Sequence, residues 1–229
     1  MNRKKFLRNL GTGVIAAPVI PTILTSCNKD DDSNAMPNPN ACAPSPTEVA
    51  GPFPIKTPSD WIRTNIVGNR SGVALMINIT VQNTNANCAA LEGVFVDVWM
   101  CDAKGNYSEY NEQLDGDFTA QHFLRGRQTS NAEGKVSFVS IYPGWYPGRA
   151  PHIHLEVKRG NSSLLVTQIA FPENISKTVY ATNGYKGNFD TTNASDGEFS
   201  NSLNNNMADS VTGNTTDGYT LTKIIKVKG

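Results

Sequence analysis

His152-Ile153-His154 concentrates metal-ligating chemistry in a chain that has only three histidines, the third being His122. On a strand, residues i and i+2 share a face, so both imidazoles project together while Ile153, Leu155 and Val157 turn to the core. Two adjacent imidazoles can hold a metal ion, although two satisfied polar positions on a strand read the same way. The segment just upstream is Ile141-Tyr142-Pro143-Gly144-Trp145-Tyr146-Pro147-Gly148-Arg149-Ala150-Pro151. Its prolines and glycines make it a loop, and it delivers two tyrosines, a tryptophan and an arginine to the histidine strand, where a rigid sheet would fix them.

The run Tyr-Pro-Gly-Trp-Tyr-Pro-Gly-Arg-Ala-Pro-His-Ile-His resembles the iron-site segment of the intradiol ring-cleavage dioxygenases, the catechol and protocatechuate type. That family holds a non-haem Fe(III) with two tyrosinates and two histidines. The resemblance implies Tyr146, His152 and His154 as three of the ligands. The earlier tyrosine follows a Trp-x-x-Asp-Ala-x-Gly-x-Tyr turn, supplied here by Trp99-Met100-Cys101-Asp102-Ala103-Lys104-Gly105-Asn106-Tyr107, so Tyr107 is the implied fourth. Arg149 matches the family arginine before the first histidine, and Gln168 matches a glutamine near the substrate. Phe123 to Thr129 reads as the connector between the two tyrosines, and Gly51-Pro52-Phe53 as the Gly-Pro-aromatic entry. The likeness runs from about Gly51 to Phe171 and is nearest to a small, exported, single-domain branch.

The implied activity is insertion of both atoms of O2 into a catechol-type diol, opening the ring between the two hydroxyl-bearing carbons to a muconate-type diacid. The resemblance implies that substrate displaces one tyrosinate, Tyr146, and that the freed phenolate or a bound hydroxide helps to deprotonate the diol. Arg149 sets a fixed positive charge beside the reacting ring, and Gln168 orients substrate by hydrogen bonding. The donor chemistry agrees: phenolates with neutral imidazoles suit a hard ferric ion, whereas zinc more usually recruits a third histidine, a cysteine or a carboxylate. Tyr142 and Trp145 read as packing or pocket-wall residues, Tyr110 as possible lining, His122 as structural or surface. Two rival readings use the same residues: a β-sandwich surface lipoprotein binding a carbohydrate or a protein, and a zinc hydrolase built on His152 and His154.

The elements that must position these residues are strands. Val73 to Val81 and Val94 to Met100 alternate with period two, and Gly134–Ile141, His152–Lys158, Leu164–Phe171 and Tyr219–Lys228 are further candidates. Turn signals separate them, with almost no helical stretch, so the expected fold is all-β: a single sandwich of mostly antiparallel short strands with long loops. Asn183 to Gly218 reads as one long loop excursion, with a short helical turn around Phe199 to Ala208.

The first fifty residues read as an address. A basic start leads into a short apolar run closing on Leu24-Thr25-Ser26-Cys27, which resembles a bacterial lipobox. The expected organisation is a signal peptide over 1–26, a lipid-anchored flexible tether over 27–50 and the folded domain over 51–229, in the cell envelope and held to the membrane by a lipid on Cys27. Three cysteines then remain; Cys101 ends an apolar strand, so one disulfide between Cys42 and Cys88 is expected. Lys+Arg 20 against Asp+Glu 20 gives no net charge, which argues against a nucleic-acid partner and leaves a small aromatic diol and O2.

Overall fold

The computed structural model describes residues 42–229; the expected signal peptide, the expected lipid site at Cys27 and the part of the expected tether up to Ala41 lie outside the described residues. Nine strands form two sheets. In chain order they are β1 (Ala74–Asn83), β2 (Ala89–Ala90), β3 (Phe95–Trp99), β4 (Arg125–Thr129), β5 (Lys135–Ile141), β6 (His152–Arg159), β7 (Ser162–Ala170), β8 (Ser210–Asn214) and β9 (Gly218–Val227). One sheet runs β2-β1-β9-β8 with β5 also paired to β1; the other runs β4-β3-β6-β7. All pairings are antiparallel except β1 with β9, which run parallel from Leu75 opposite Tyr219 to Asn83 opposite Val227.

The alternation seen in sequence is the inward row of each strand. Leu75, Ile77, Ile79 and Val81 of β1 face Val96, Val98, Ile153, Leu155 and Val157 of the second sheet, and Phe138 fills the space between them. Tyr142 belongs to this core: it is fully buried and its hydroxyl lies 2.9 Å from Ser176 Oγ.

Four local expectations are corrected. Phe123 to Thr129 is more than a connector, because Arg125–Thr129 is strand β4. Its inward positions are Gly126 and Gln128 and its outward ones include the charged Arg125 and Arg127, so no apolar alternation marks it. Residues Glu173–Tyr180 form a helix, α1, which follows Pro172, carries Glu173 in its first turn and buries Val179 and Tyr180. The excursion from Asn183 to Gly218 contains β8, a short strand paired to β9, and the expected helical turn is α2 (Leu203–Asn206).

The tether read over 27–50 does not extend to residue 50 as free chain. Ser45 N donates to Lys226 O and Glu48 N donates to Val166 O, both at 2.9 Å, so the segment is laid first along β9 and then along the edge of β7. Cys42 is joined to Cys88 by the expected disulfide, with Cα atoms 5.7 Å apart, and Cys101 is a buried free thiol.

Candidate metal centre

The register of the second sheet assembles the site. Trp99 of β3 pairs with both Arg125 of β4 and His154 of β6, and His154 pairs with Gln168 of β7. One row across four strands therefore carries Arg125, Trp99, His154 and Gln168 on the outer face, and His152 stands two residues along on the same face. The indole of Trp99 lies parallel to the His154 ring, with centroids 5.1 Å apart and planes 3° apart.

The two imidazoles converge. His152 Nε2 is 2.9 Å from His154 Nε2, and Tyr107 Oη is 3.5 Å from His152 Nε2. His152 Nδ1 lies 2.6 Å from Ala150 O; a carbonyl can only accept, so Nδ1 carries the proton and Nε2 presents its lone pair. A single proton on His154 Nε2 therefore suffices to join the two rings, and a metal ion would take that proton's place. Both imidazoles are held neutral. Burial, then the Arg149 charge, pushes His152 down to about 4; burial, then its neighbour His152, puts His154 well below the ordinary histidine value.

Tyr107 is placed by the turn that follows β3. Asp102 Oδ1 accepts from Lys104 N at 2.9 Å and Asn106 N at 3.0 Å, and Tyr107 N donates to Gln113 Oε1 at 2.9 Å. This turn is knitted to the Tyr146 loop: Gly144 N donates to Asp102 O at 3.1 Å. The approach is so close that a Cβ on Gly105 would meet Trp145 O at 2.4 Å and one on Gly144 would meet Asp102 O at 2.5 Å. Tyr146 is half-buried, and its ring lies edge-on to Tyr107 at 6.1 Å and to Phe53 at 5.6 Å. Burial raises the Tyr107 phenol well above its usual range, with Arg149 and Arg125 pulling it the other way.

These residues fit a ferric ion. Two imidazole nitrogens and a phenol oxygen face one another in a buried space, with the second phenol beside them, and a buried phenol ionises only where a cation stabilises it. Among the described residues no three of His, Cys, Asp or Glu gather in one place, so the gathered donors are imidazoles and phenols.

The residues expected beside the site are there. Arg149 Nε donates to Asp196 Oδ2 at 2.9 Å, and its Nη2 donates to Gln168 Oε1 at 2.6 Å. Gln168 Nε2 in turn donates to Val49 O at 2.8 Å, so both ends of the amide are engaged. Gly51 lies against His154: a Cβ there would be 2.9 Å from Cε1, at a backbone φ of +70°. His122 sits off the centre, stacked on Trp61 and 3.1 Å from Glu109 Oε1. Three contributors escaped the sequence reading: Asp196, Trp99 as the plane under His154, and Arg125. Arg125 is fully buried and donates to Ser108 Oγ, Ser108 O and Phe53 O. Its two contacts on Ser108 fix the residue that follows Tyr107.

The family model described as "Dioxygenase" matches residues 51–178, a span that holds both tyrosines, both histidines, Arg149 and Gln168. The chain is 31% identical over 116 residues to the protocatechuate 3,4-dioxygenase beta chain of Burkholderia cepacia, covering 47% of this chain and 49% of that one. The chain thus spans about half the length of the curated relative it matches. Among solved structures, an intradiol ring-cleavage dioxygenase from Tetranychus urticae superposes with a TM-score of 0.72 at 27% identity, over 81% of this chain and 95% of that one. The dioxygenase domain of a dioxygenase–carbohydrate-binding protein fusion from Streptomyces sp. SirexAA-E gives a TM-score of 0.59 at 28% identity, over 80% and 97%. The chain belongs to the intradiol ring-cleavage dioxygenase family.

Proposed function

We propose that the chain is a non-haem Fe(III) dioxygenase that opens catechol-type diols between the hydroxyl-bearing carbons, both oxygen atoms of O2 ending in a muconate-type diacid. The observation that carries this is the convergence of His152 Nε2, His154 Nε2 and Tyr107 Oη, with Tyr146 beside them. Tyr107, Tyr146, His152 and His154 would hold the iron, which supplies a Lewis-acidic centre for the diol and draws electron density from its ring.

The chain's own residues then divide the work. His152, neutral over the physiological range with its proton on Nδ1, offers its Nε2 lone pair directly, and the neutral His154 offers its own once its proton stands on Nδ1. Tyr146, the more exposed of the two phenols, is placed to accept a diol proton on its Oη. Arg149 keeps a fixed positive charge where negative charge develops, and no protein group engages its Nη1 among the described residues, so that nitrogen is free to donate. With both amide ends engaged, Gln168 supports Arg149 first and reaches substrate only by giving up one of those bonds. Phe53 packs against Tyr107, Tyr110 and Tyr146, and Ile55 belongs to the same apolar cluster as Tyr107.

The export reading stands as a proposal alongside. A lipid on Cys27 would hold the enzyme in the cell envelope, and the Cys42–Cys88 disulfide supports an oxidising compartment.

Iron loading tests the metal site. Tyrosinate-to-ferric charge transfer is expected to colour the protein burgundy, with a broad visible band that moves when a catechol is added, and O2 uptake should follow. Tyr146→Phe is expected to bleach or shift the band, and Tyr142→Phe, altered in the core between the sheets, to leave it nearly unchanged. A protein that stays colourless with iron and takes up no O2 with a panel of catechols would overturn the proposal.

A further inference from the structure

The loop between α1 and β8 reaches the site through one carboxylate. Asp196 is fully buried, and its two oxygens accept five contacts from four donors. Oδ2 takes Arg149 Nε at 2.9 Å and Ala150 N at 2.8 Å. Oδ1 takes Arg149 Nε at 3.2 Å, Glu198 N at 3.0 Å and Phe199 N at 3.4 Å. The hydrogen bonds from Arg149 and from the two backbone amides hold the carboxyl below the usual carboxylate range against the opposing effect of burial.

What Asp196 grips is the stretch joining the second tyrosine to the first histidine. Arg149 N donates to Tyr146 O at 3.0 Å and closes the Tyr146 turn. Ala150, whose N–H is bound by Asp196, offers its carbonyl to His152 Nδ1 at 2.6 Å. Phe199, three residues beyond Asp196, packs under the same group, with the Arg149 guanidinium 5.7 Å from its ring centre and the His152 ring 6.3 Å away. Asp190 acts on the same stretch from outside, both its oxygens lying 3.2 Å from Gly148 N.

We propose that Asp196 is a positioning residue of the dioxygenase site: one buried carboxylate orients the Arg149 guanidinium and, through Ala150, the tautomer and direction of His152. The inference rests on the functional reading above and extends it to a residue outside the span matched by the family. It explains why Arg149 is held on Nε and Nη2: Asp196 and Gln168 grip the guanidinium at two nitrogens and leave Nη1 without a protein partner among the described residues. An uncompensated arginine there would also be free to swing toward solvent, since its side chain is 15% exposed.

The test compares Asp196→Asn with Asn193→Ala. Asn193 anchors the same loop, donating from Nδ2 to Phe171 O at 2.8 Å, but does not touch Arg149, so its loss reports loop loosening alone. Asp196→Asn is expected to lower kcat about 10- to 100-fold with KM within about threefold, to shift the visible band, and to speed iron loss to a chelator about tenfold. Asn193→Ala should lower Tm comparably yet leave kcat, band and iron loss within twofold. In the metal-free protein the Arg149 Nε–H and His152 Nδ1–H proton resonances should persist in wild type and Asn193→Ala and broaden away in Asp196→Asn, a readout that survives failure of the iron reading. If Asp196→Asn does not fold, Asp196→Glu, which keeps the charge and displaces it by a methylene, should give the same losses. If the folded variants match Asn193→Ala in every readout, Asp196 is only a loop anchor and the proposal is overturned.

Discussion

Gly51 stands against the His154 imidazole with a backbone φ of +70°, and the two facts have separate consequences. The left-handed backbone alone would strain an alanine by about 1 kcal/mol. The added methyl would in addition push on His154 Cε1, a fully packed ring backed by Trp99, which has nowhere to retreat. Gly93 separates the two effects, since it has a φ of +74° with nothing within 4 Å of a Cβ. Gly93→Ala is expected to lose about 1 kcal/mol of stability in denaturant titration, and Gly51→Ala more than that because of the added clash with His154. Only Gly51→Ala should also lower the iron retained after gel filtration. Retention equal to wild type would show that His154 yields without cost. At this scale the family resemblance pointed to residues that stand near one another in the fold: His152, His154 and Tyr107, with Tyr146 beside Tyr107. Asp196 was not legible, because a carboxylate in an Asn/Thr/Asp/Gly-rich excursion has no periodicity and meets Arg149 only through the tertiary path of the loop.

The strands with alternating apolar residues were readable because each buries one face. Strand β4 was hidden by the opposite circumstance: its outward side chains, Arg125 and Arg127, are covered by the incoming chain and paired, Arg127 with Asp97 at 2.6 Å, so burial there does not require apolar residues. The segment Cys42–Phe53 supplies much of that cover on the outer face. From the disulfide at Cys42 it passes Ser45 on β9 and Glu48 on β7, gives Val49 O to Gln168, lays Gly51 on His154 and ends with Phe53 beside both tyrosines. Cutting its anchor should therefore affect site and stability together. Closing a loop of 46 residues is worth about 4 kcal/mol in the chain-entropy account. The Cys42→Ser/Cys88→Ser double variant is expected to lose up to that amount and, while still folded, to show a raised KM for the diol. A double variant with unchanged KM would mean that the hydrogen bonds of Ser45 and Glu48 seat the segment unaided.

The molecule as a whole divides into a scaffold sheet and a working sheet that share one core. Phe138 of β5 lies fully buried between them, its ring against Gly126 on the inner side of β4, whereas His154 stands on the outer face of that sheet. Phe138→Ala should cost about 3–5 kcal/mol, the usual penalty for emptying a packed aromatic site, while the iron band of the folded fraction stays where it is. A moved band would show that strain in the core reaches the outer face of the working sheet. The scaffold sheet is also the one whose topology departs from a simple antiparallel expectation, because β9 enters beside β1 in parallel. That arrangement imposes an order in time. Strand β1 is made early, yet one of its two hydrogen-bonding edges must wait for residues 218–227 to be synthesised. A growing chain thus carries an open β edge for most of its synthesis, which invites pairing with a neighbouring chain until the late strand arrives. The candidate site is backed by a closed sandwich only once that late strand has docked.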